Sequence, residues 1–399
     1  MLDAAATPPH EEGNGQIENI TMLDATTYVL AAIALLQGIL TLIDGIRSAQ
    51  HMRTFRPRRT SGERVVIFCP CKGTDSEFEK NIRSILDQDY QNYEAQFIVE
   101  SKDDPAYETL LGLGGNILVA GRATSRGQKV HNLAYAVEHA PAADVYVFCD
   151  SDARFPRNWL STLIAPLDSA NITSGYRWYV TNRFHFPTLM RSAWNASTVS
   201  VLGDHDRNFA WGGSTAISTE AFRRLNILDA WRGSVSDDYA VTRAAQKNAM
   251  KIVFVPECLV PSYGECSFGD LVEFTTRQII ITRVYHPALW RIGFVGYVVF
   301  NVAFWILPFL HPLLWLTMCM LSAVRSWIRH SAVQTVLPSP ALSRYGWFYI
   351  LSTPLVALLY LYNMAASAVS TEIVWRQIHY KLVSPNETHV FGGSTASEN

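Results

Sequence analysis

A chain of 399 residues has room for two or three domains, and a composition 49% hydrophobic and 17% charged excludes a disordered polymer. Lys and Arg number 33 and Asp and Glu 35, a net charge of −2 with no basic block, which excludes a nucleic-acid-binding footprint. Mean hydropathy is mildly positive, too low for a polytopic transporter and high for a soluble enzyme, so part of the chain is expected in a membrane and part in water. The six cysteines (69, 71, 149, 258, 266, 319) follow neither a disulfide framework nor a zinc spacing; they point to a reducing compartment, with Cys69 and Cys71 packed.

Residues 1–21 read as a polar tail carrying Asp3, Glu11, Glu12 and Glu18, with no Lys or Arg. A membrane helix is expected over 22–46, where Thr26 to Ile43 holds no charge and the length suits the roughly 20 residues a span needs. A cleaved signal peptide would begin with a basic stretch, which is missing. Arg47, Arg53, Arg56, Arg58, Arg59 and Arg64 follow the span, so the positive-inside rule places the tail outside and residues 47–288 in the cytosol.

Residues 60–288 have ordinary soluble composition. Short apolar runs at Val65–Cys69, Glu94–Val99, Asn116–Ala120 and Asp144–Cys149 predict strands. The segments Ser76–Leu86, Pro105–Leu111 and Lys129–His139 between them predict helices. That alternation predicts an α/β domain with a mostly parallel sheet, in which ligands bind beyond the carboxyl ends of the strands. No G-x-G-x-x-G or P-loop motif follows the first strand.

Membrane character returns over 289–371. Ile292 to Val324 has no acid, Lys or Arg, but Pro308, His311 and Pro312 interrupt it, and basic residues flank both ends; a hairpin over 292–324 is expected. A further span is expected over 346–371, and an amphipathic cytosolic tail over 372–399.

Three acidic clusters fall at loop positions around one sheet edge: Glu100 with Asp103 and Asp104, then Asp150-Ser151-Asp152, then Asp237-Asp238 opening a helix. Gathered carboxylates repel unless a cation or donor groups lie among them. A D-x-D after a strand can bridge Mg2+ or Mn2+ to a diphosphate, phosphates and water completing the shell. Singly, each cluster has a plainer reading: Asp103 or Asp104 capping the helix before Pro105, Asp237 capping the helix after it, Asp150 as a solvated strand end.

Taken in order, the motifs carry a resemblance. Pro70-x-Lys72-Gly73, Asp103-Asp104-Pro105-Ala106, Gly127-x-Lys129-Val130-x-Asn132-Leu133, Cys149-Asp150-Ser151-Asp152, Gly212-Gly213-Ser214 and Asp237-Asp238-Tyr239 resemble family-2 glycosyltransferases of the GT-A fold, most closely the ceramide glucosyltransferase branch. Trp375-Arg376 and Tyr380 are similar to the segment after the membrane part in bacterial relatives. The family's Q/R-x-x-R-W motif is degenerate. Arg277 matches its first position, Ile280 and Ile281 replace its Arg and Trp, and Arg283 is the nearest substitute cation. An amphipathic membrane-surface helix over Phe274–Tyr285 is the competing reading of that segment.

The resemblance implies a membrane-bound inverting enzyme that moves a hexose from a UDP-sugar to a lipid hydroxyl, with its catalytic domain facing the cytosol of a bacterial inner membrane or of the Golgi or endoplasmic reticulum. It implies donor contacts from Pro70, Lys72, Glu100, Asp103, Asp104, Lys129 and Asp150, and Mg2+ or Mn2+ on Asp152. Asp238 becomes the general base. Gly213, Ser214, Asp237, Arg277 and Arg283 fall on the acceptor and diphosphate side. Trp178, Trp194 and Trp211 could line an acceptor cleft or pack the core. His131, His205 and His286 are expected to be structural or surface residues and not catalytic. A processive polysaccharide synthase, a catalytically dead binding protein, and transfer to diacylglycerol, hopanoid or polyisoprenoid lipids remain as alternatives.

Overall fold

The structure, a computed structural model, describes residues 12–57, 62–168 and 171–391, with side chains from residue 25 onward. Residues 1–11 of the expected outer tail, Arg58 and Arg59 of its basic flank, and 392–399 of the C-terminal tail lie outside the described residues.

A single long helix, α1 (Glu12–Thr54), contains the expected first span and extends beyond it at both ends. The alternation predicted for the next hundred residues is present as β1 (Val65–Pro70), α2 (Phe78–Leu86), β2 (Tyr93–Val99), α3 (Pro105–Gly112), β3 (Asn116–Val119), α4 (Gln128–Glu138) and β4 (Val145–Cys149). Then come α5 (Trp159–Ile164), β5 (Asn171–Val180), α6 (Phe186–Val199), β6 (Ser214–Ser218), the short α7 (Thr219–Arg224) and α8 (Ile227–Ala230), α9 (Asp237–Lys247) and β7 (Lys251–Tyr263).

The seven strands form one sheet in the order β3-β2-β1-β4-β6-β5-β7. Pairing is parallel except where β6 lies antiparallel between β4 and β5. Side chains alternate across it, as a strand's two-residue period requires. Val65, Ile67 and Cys69 enter one buried cluster, with Phe78 and Ile82 of α2 and Trp194 of α6. Val66 and Phe68 enter the other, with Val130 and Leu133 of α4 and Val241 of α9. The sheet is therefore covered on both faces, which is why β1 and β4 read as unbroken apolar runs. The described cysteines are all unpaired, and Cys69 and Cys71 are buried.

The rest of the chain is mostly helical: α10 (Phe268–Tyr285), α11 (Pro287–Leu310), α12 (Pro312–Val336), α13 (Pro340–Arg344), α14 (Gly346–Leu351) and α15 (Thr353–Val369). The break expected near Pro308–Pro312 falls at His311, between α11 and α12; Pro308 is accommodated inside α11. The stretch expected as one span over 346–371 is instead divided at Ser352, just before Pro354, which lacks the N–H a continuous helix would need. Within the described residues, Ala25–Thr54 and Pro287–Leu310 are long and apolar enough to cross a membrane. Large apolar side chains such as Leu36, Ile292, Phe309, Leu313 and Val369 stand exposed on these helices.

The C-terminal segment makes a second sheet, β8 (Glu372–Trp375), β9 (Ile378–Ser384) and β10 (Glu387–Phe391), all antiparallel. Along β9, Ile378, Tyr380 and Leu382 are buried and the residues between them exposed. Those three pack with Ile373 and with Ile280, Ile281 and Tyr285 of α10.

Candidate active site

The carboxyl ends of β1 and β4 lie side by side in a parallel pair, and this places Asp150 and Asp152 beside the Pro70–Lys72 segment. The first turn of α4 supplies Lys129, β5 supplies Arg177, and the first turn of α9 supplies Asp237 and Asp238. Lys129 Nζ lies 2.7 Å from Asp150 Oδ1 and 3.1 Å from Asp237 Oδ1, so one ammonium joins two of the acidic clusters. Arg177 joins the two carboxylates of the D-x-D: it donates to Asp150 Oδ2, and its Nη1 is 2.9 Å from Asp152 Oδ2. Its guanidinium also stands 4.7 Å from the Trp211 ring.

Burial alone would push the Asp150 carboxyl up and the Lys129 ammonium down. For both, the opposite charges outweigh it: Lys129 and Arg177 hold Asp150 below its ordinary value, and Asp150, Asp237 and Asp238 hold Lys129 above its own. Burial of Arg177 is likewise offset by Asp152, Tyr179 and Asp150. Asp237 differs. Its burial dominates, Lys129 compensates only in part, Asp238 and Asp150 add repulsion, and its pKa is raised to about 6.

The backbone is shaped around this cluster. A Cβ on Gly212 would overlap Asp237 Oδ2 and come within 2.8 Å of Lys129 Nζ, so only glycine leaves room for that ion pair. Ser236 caps α9, its Oγ accepting from Tyr239 N–H at 3.3 Å and donating to Asp238 Oδ1, which also accepts from Tyr239 N–H at 2.8 Å. Asp238 is thus fixed through one oxygen, and among the described residues its other oxygen has no protein donor.

These groups line a cavity of about 1660 Å³. At one end are Lys72, Lys129, Asp150, Asp152, Asp237 and Asp238; at the other the wall is Leu36 and Leu40 of α1, Ile292 and Val295 of α11, and Met318 and Leu321 of α12. Asp152 Oδ1 is buried with no hydrogen-bond partner among the described residues, while its Oδ2 is held by Arg177. No group of three or more His, Cys, Asp or Glu side chains suited to a metal occurs among the described residues. The site fits an ion that takes one or two protein oxygens and draws the rest of its shell from phosphates and water.

Several of the expected residues are placed elsewhere. Asp104 is buried, and its Oδ1 accepts from Gly73 N–H at 2.7 Å and from Ala106 N–H at 2.9 Å, so it caps α3 and ties down the loop after β1. Asp103 is exposed, and Glu100 is engaged by Lys72 Nζ at 2.6 Å; neither is on the cavity wall. Ser214 is fully buried beneath Trp159, whose Nε1 donates to its Oγ at 2.8 Å, and Gly213 leaves space for the Trp211 ring. Arg283 donates to the Ser367 carbonyl and stands 5.6 Å from the Trp290 ring, away from the cavity. Arg277 does line the cavity, donating to the Val374 carbonyl at 3.0 Å. Ile280 and Ile281, in place of the family's Arg and Trp, belong to the core under the C-terminal sheet. Trp194 and Trp211 reach the cavity; Trp178 is core, with its Nε1 on Tyr349 Oη at 3.2 Å.

The main omission from the sequence reading is Arg177. Its signal was available: one cation inside the apolar strand Gly175-Tyr176-Arg177-Trp178-Tyr179-Val180 is costly unless paired. Arg191, 4.2 Å from the Tyr179 ring, and Arg376 also line the cavity and were not singled out as site residues.

The glycosyl transferase family 21 model matches residues 26–388. No curated protein matches the chain. Among solved structures, a mannosyltransferase of Pyrobaculum calidifontis in complex with GDP-Man and Mn2+ is 16% identical; the match covers 86% of this chain and 98% of that one with a TM-score of 0.50. Glucosyl-3-phosphoglycerate synthase of Mycobacterium tuberculosis, solved with Mn2+ and UDP-glucose, is 15% identical over 56% of this chain and 79% of its own, with a TM-score of 0.38. The fold is thus a mixed α/β fold of GT-A type around a mostly parallel seven-stranded sheet.

Proposed function

The chain belongs to glycosyl transferase family 21, and from that premise we propose that it is a membrane enzyme moving a hexose from a UDP-sugar to a lipid hydroxyl with inversion, ceramide-type glucosyl transfer being the favoured case. One observation carries the lipid part of this reading. A single cavity joins the Lys129–Asp150–Asp237 cluster to a wall of apolar side chains from α1, α11 and α12. A polar end suits a nucleotide diphosphate, and an apolar end between exposed hydrophobic helices suits acyl chains.

In this reading Lys72, Lys129 and Asp150 face the donor, and Lys129 and Arg177 are fixed cations beside the leaving diphosphate. Asp152, through its open oxygen, would hold Mg2+ or Mn2+, which would neutralise phosphate charge when bound. Asp238 takes the acceptor proton as the hydroxyl attacks; its fixed orientation matters more here than its resting affinity for protons. A single in-line displacement inverts the anomeric carbon. Asp237, committed to Lys129, sets the charge of the donor end and leaves the proton transfer to its neighbour.

The test is purified protein in detergent with labelled UDP-sugars and a total lipid extract, the product identified by mass. A glycolipid whose formation stops in excess chelator and returns with Mn2+ is the expected result. Soluble oligosaccharide formed from donor alone, or no UDP release with any lipid, would overturn the reading.

A further inference from the structure

Arg325 and Arg329, both on α12, have no counter-ion among the described residues. Arg325 lines the cavity, and its Nε is buried with no hydrogen-bond partner among the described residues. Arg329, one turn further along α12, is 6% exposed; its Nε is also unpartnered, and its Nη1 reaches only Ser200 Oγ at 3.5 Å. Asp44, the carboxylate beside Gly45 on the facing stretch of α1, is engaged by Arg207 at 3.1 Å and Arg47 at 3.9 Å. The Arg325 stem packs at Gly45, where an added Cβ would meet its Cγ at 3.3 Å, so α1 and α12 approach closely and hold the side chain against the cavity.

Like charges four residues apart on a helix repel, and a buried cation without an anion is costly. Arg325 lines the cavity together with Ile292, Met318 and Leu321, while its buried Nε has no hydrogen-bond partner among the described residues. The missing component is an anion attached to something apolar. We propose that this end of the cavity is a binding site for an acidic membrane phospholipid, with its phosphate on Arg325, supported by the field of Arg329, and its acyl chains along α11 and α12. The proposal rests on the reading of the apolar end as facing the membrane, and adds a second, charged lipid beside the neutral acceptor.

Native mass spectrometry of the full chain in detergent tests this without any donor present, so it stands or falls apart from glycosyl transfer. The probes are phosphatidylglycerol and phosphatidylcholine with identical acyl chains. The wild type is expected to retain phosphatidylglycerol roughly tenfold or more over phosphatidylcholine, the range of one charge-assisted hydrogen bond. Arg325→Gln should lose that preference, Arg325→Lys should keep part of it, and Arg47→Gln, at an exposed basic position, should keep all of it. Equal retention of both lipids by the wild type would overturn the site, with no variant needed. So would loss of the preference in Arg47→Gln, which would indicate general surface attraction, or its removal by inorganic phosphate, which would indicate a site for the free anion.

Discussion

Lys129 and Arg177 divide the neutralisation of the site between them: one bridges Asp150 to Asp237, the other Asp150 to Asp152. Asp238 is left as the carboxylate not committed to a cation, and this is the physical reason to separate its role from that of Asp237. In Asp238→Asn, kcat should fall by roughly 10²–10⁴ while UDP-sugar affinity stays nearly constant, because Asn keeps the shape and still accepts from Tyr239 N–H. A normal kcat would remove the base from the mechanism. Asp237→Asn should act on donor binding instead. With its pKa raised to about 6 by burial, Asp237 is charged above that pH and neutral below it. Protonation removes a negative charge from the donor end, so affinity for the anionic UDP-sugar should rise several-fold as pH falls through about 6, and Asp237→Asn should flatten that dependence. Calorimetric titration across this range decides it; a flat wild-type profile would refute the assignment. The same raised pKa means the folded chain holds this proton more tightly than the unfolded chain, so the stability the group contributes is fully present below about 3.8 and is lost as pH rises through about 6.

At the scale of elements, the small C-terminal sheet connects α10 to the candidate site. Tyr380 Oη accepts from Gln128 N–H at 3.2 Å at the start of α4, one residue before Lys129. Thr388 Oγ1 donates to the Gly233 carbonyl at 2.7 Å, in the loop leading to α9. Ile280 and Ile281, at the positions of the motif's Arg and Trp, supply the apolar floor under that sheet, and Ile281 also lines the cavity. Tyr380→Phe removes one acceptor from a buried backbone N–H, a loss of about 1–3 kcal/mol. It should lower the thermal midpoint and raise the donor KM more than it lowers kcat, since the change is felt at Lys129. A lowered midpoint with an unchanged donor KM would mean that the sheet only stabilises.

For the whole molecule, the proposed arrangement places the sheet domain in the cytosol, with α1 entering from the other side and the cavity opening toward the bilayer. A Lys102→Cys variant carries its thiol on the exposed domain surface, and the native cysteines are buried except for Cys319, which is partly so. The engineered thiol should react with an impermeant maleimide only after the cells are opened. Reaction in intact cells would invert the topology and with it the side from which donor is drawn.

The sequence alone carried the strand–helix alternation through residue 149, the apolar segments and the three acidic clusters, because two-residue and helical periods and strand-end carboxylates are local signals. It could not decide which carboxylates share a site. Asp104 and Asp150 each follow a strand, yet the first closes a loop on Gly73 and the second faces two cations. That difference depends on which strand is the neighbour, and neighbours here are set by crossovers between distant segments. Arg177 and Gly212 gain their meaning only across the fold, since one is 25 residues from the Asp152 it pairs with and the other is 25 from the Asp237 it makes room for. The C-terminal strands likewise pack their apolar face on Ile280, Ile281 and Tyr285 of α10, a contact between segments about a hundred residues apart that no local pattern announces.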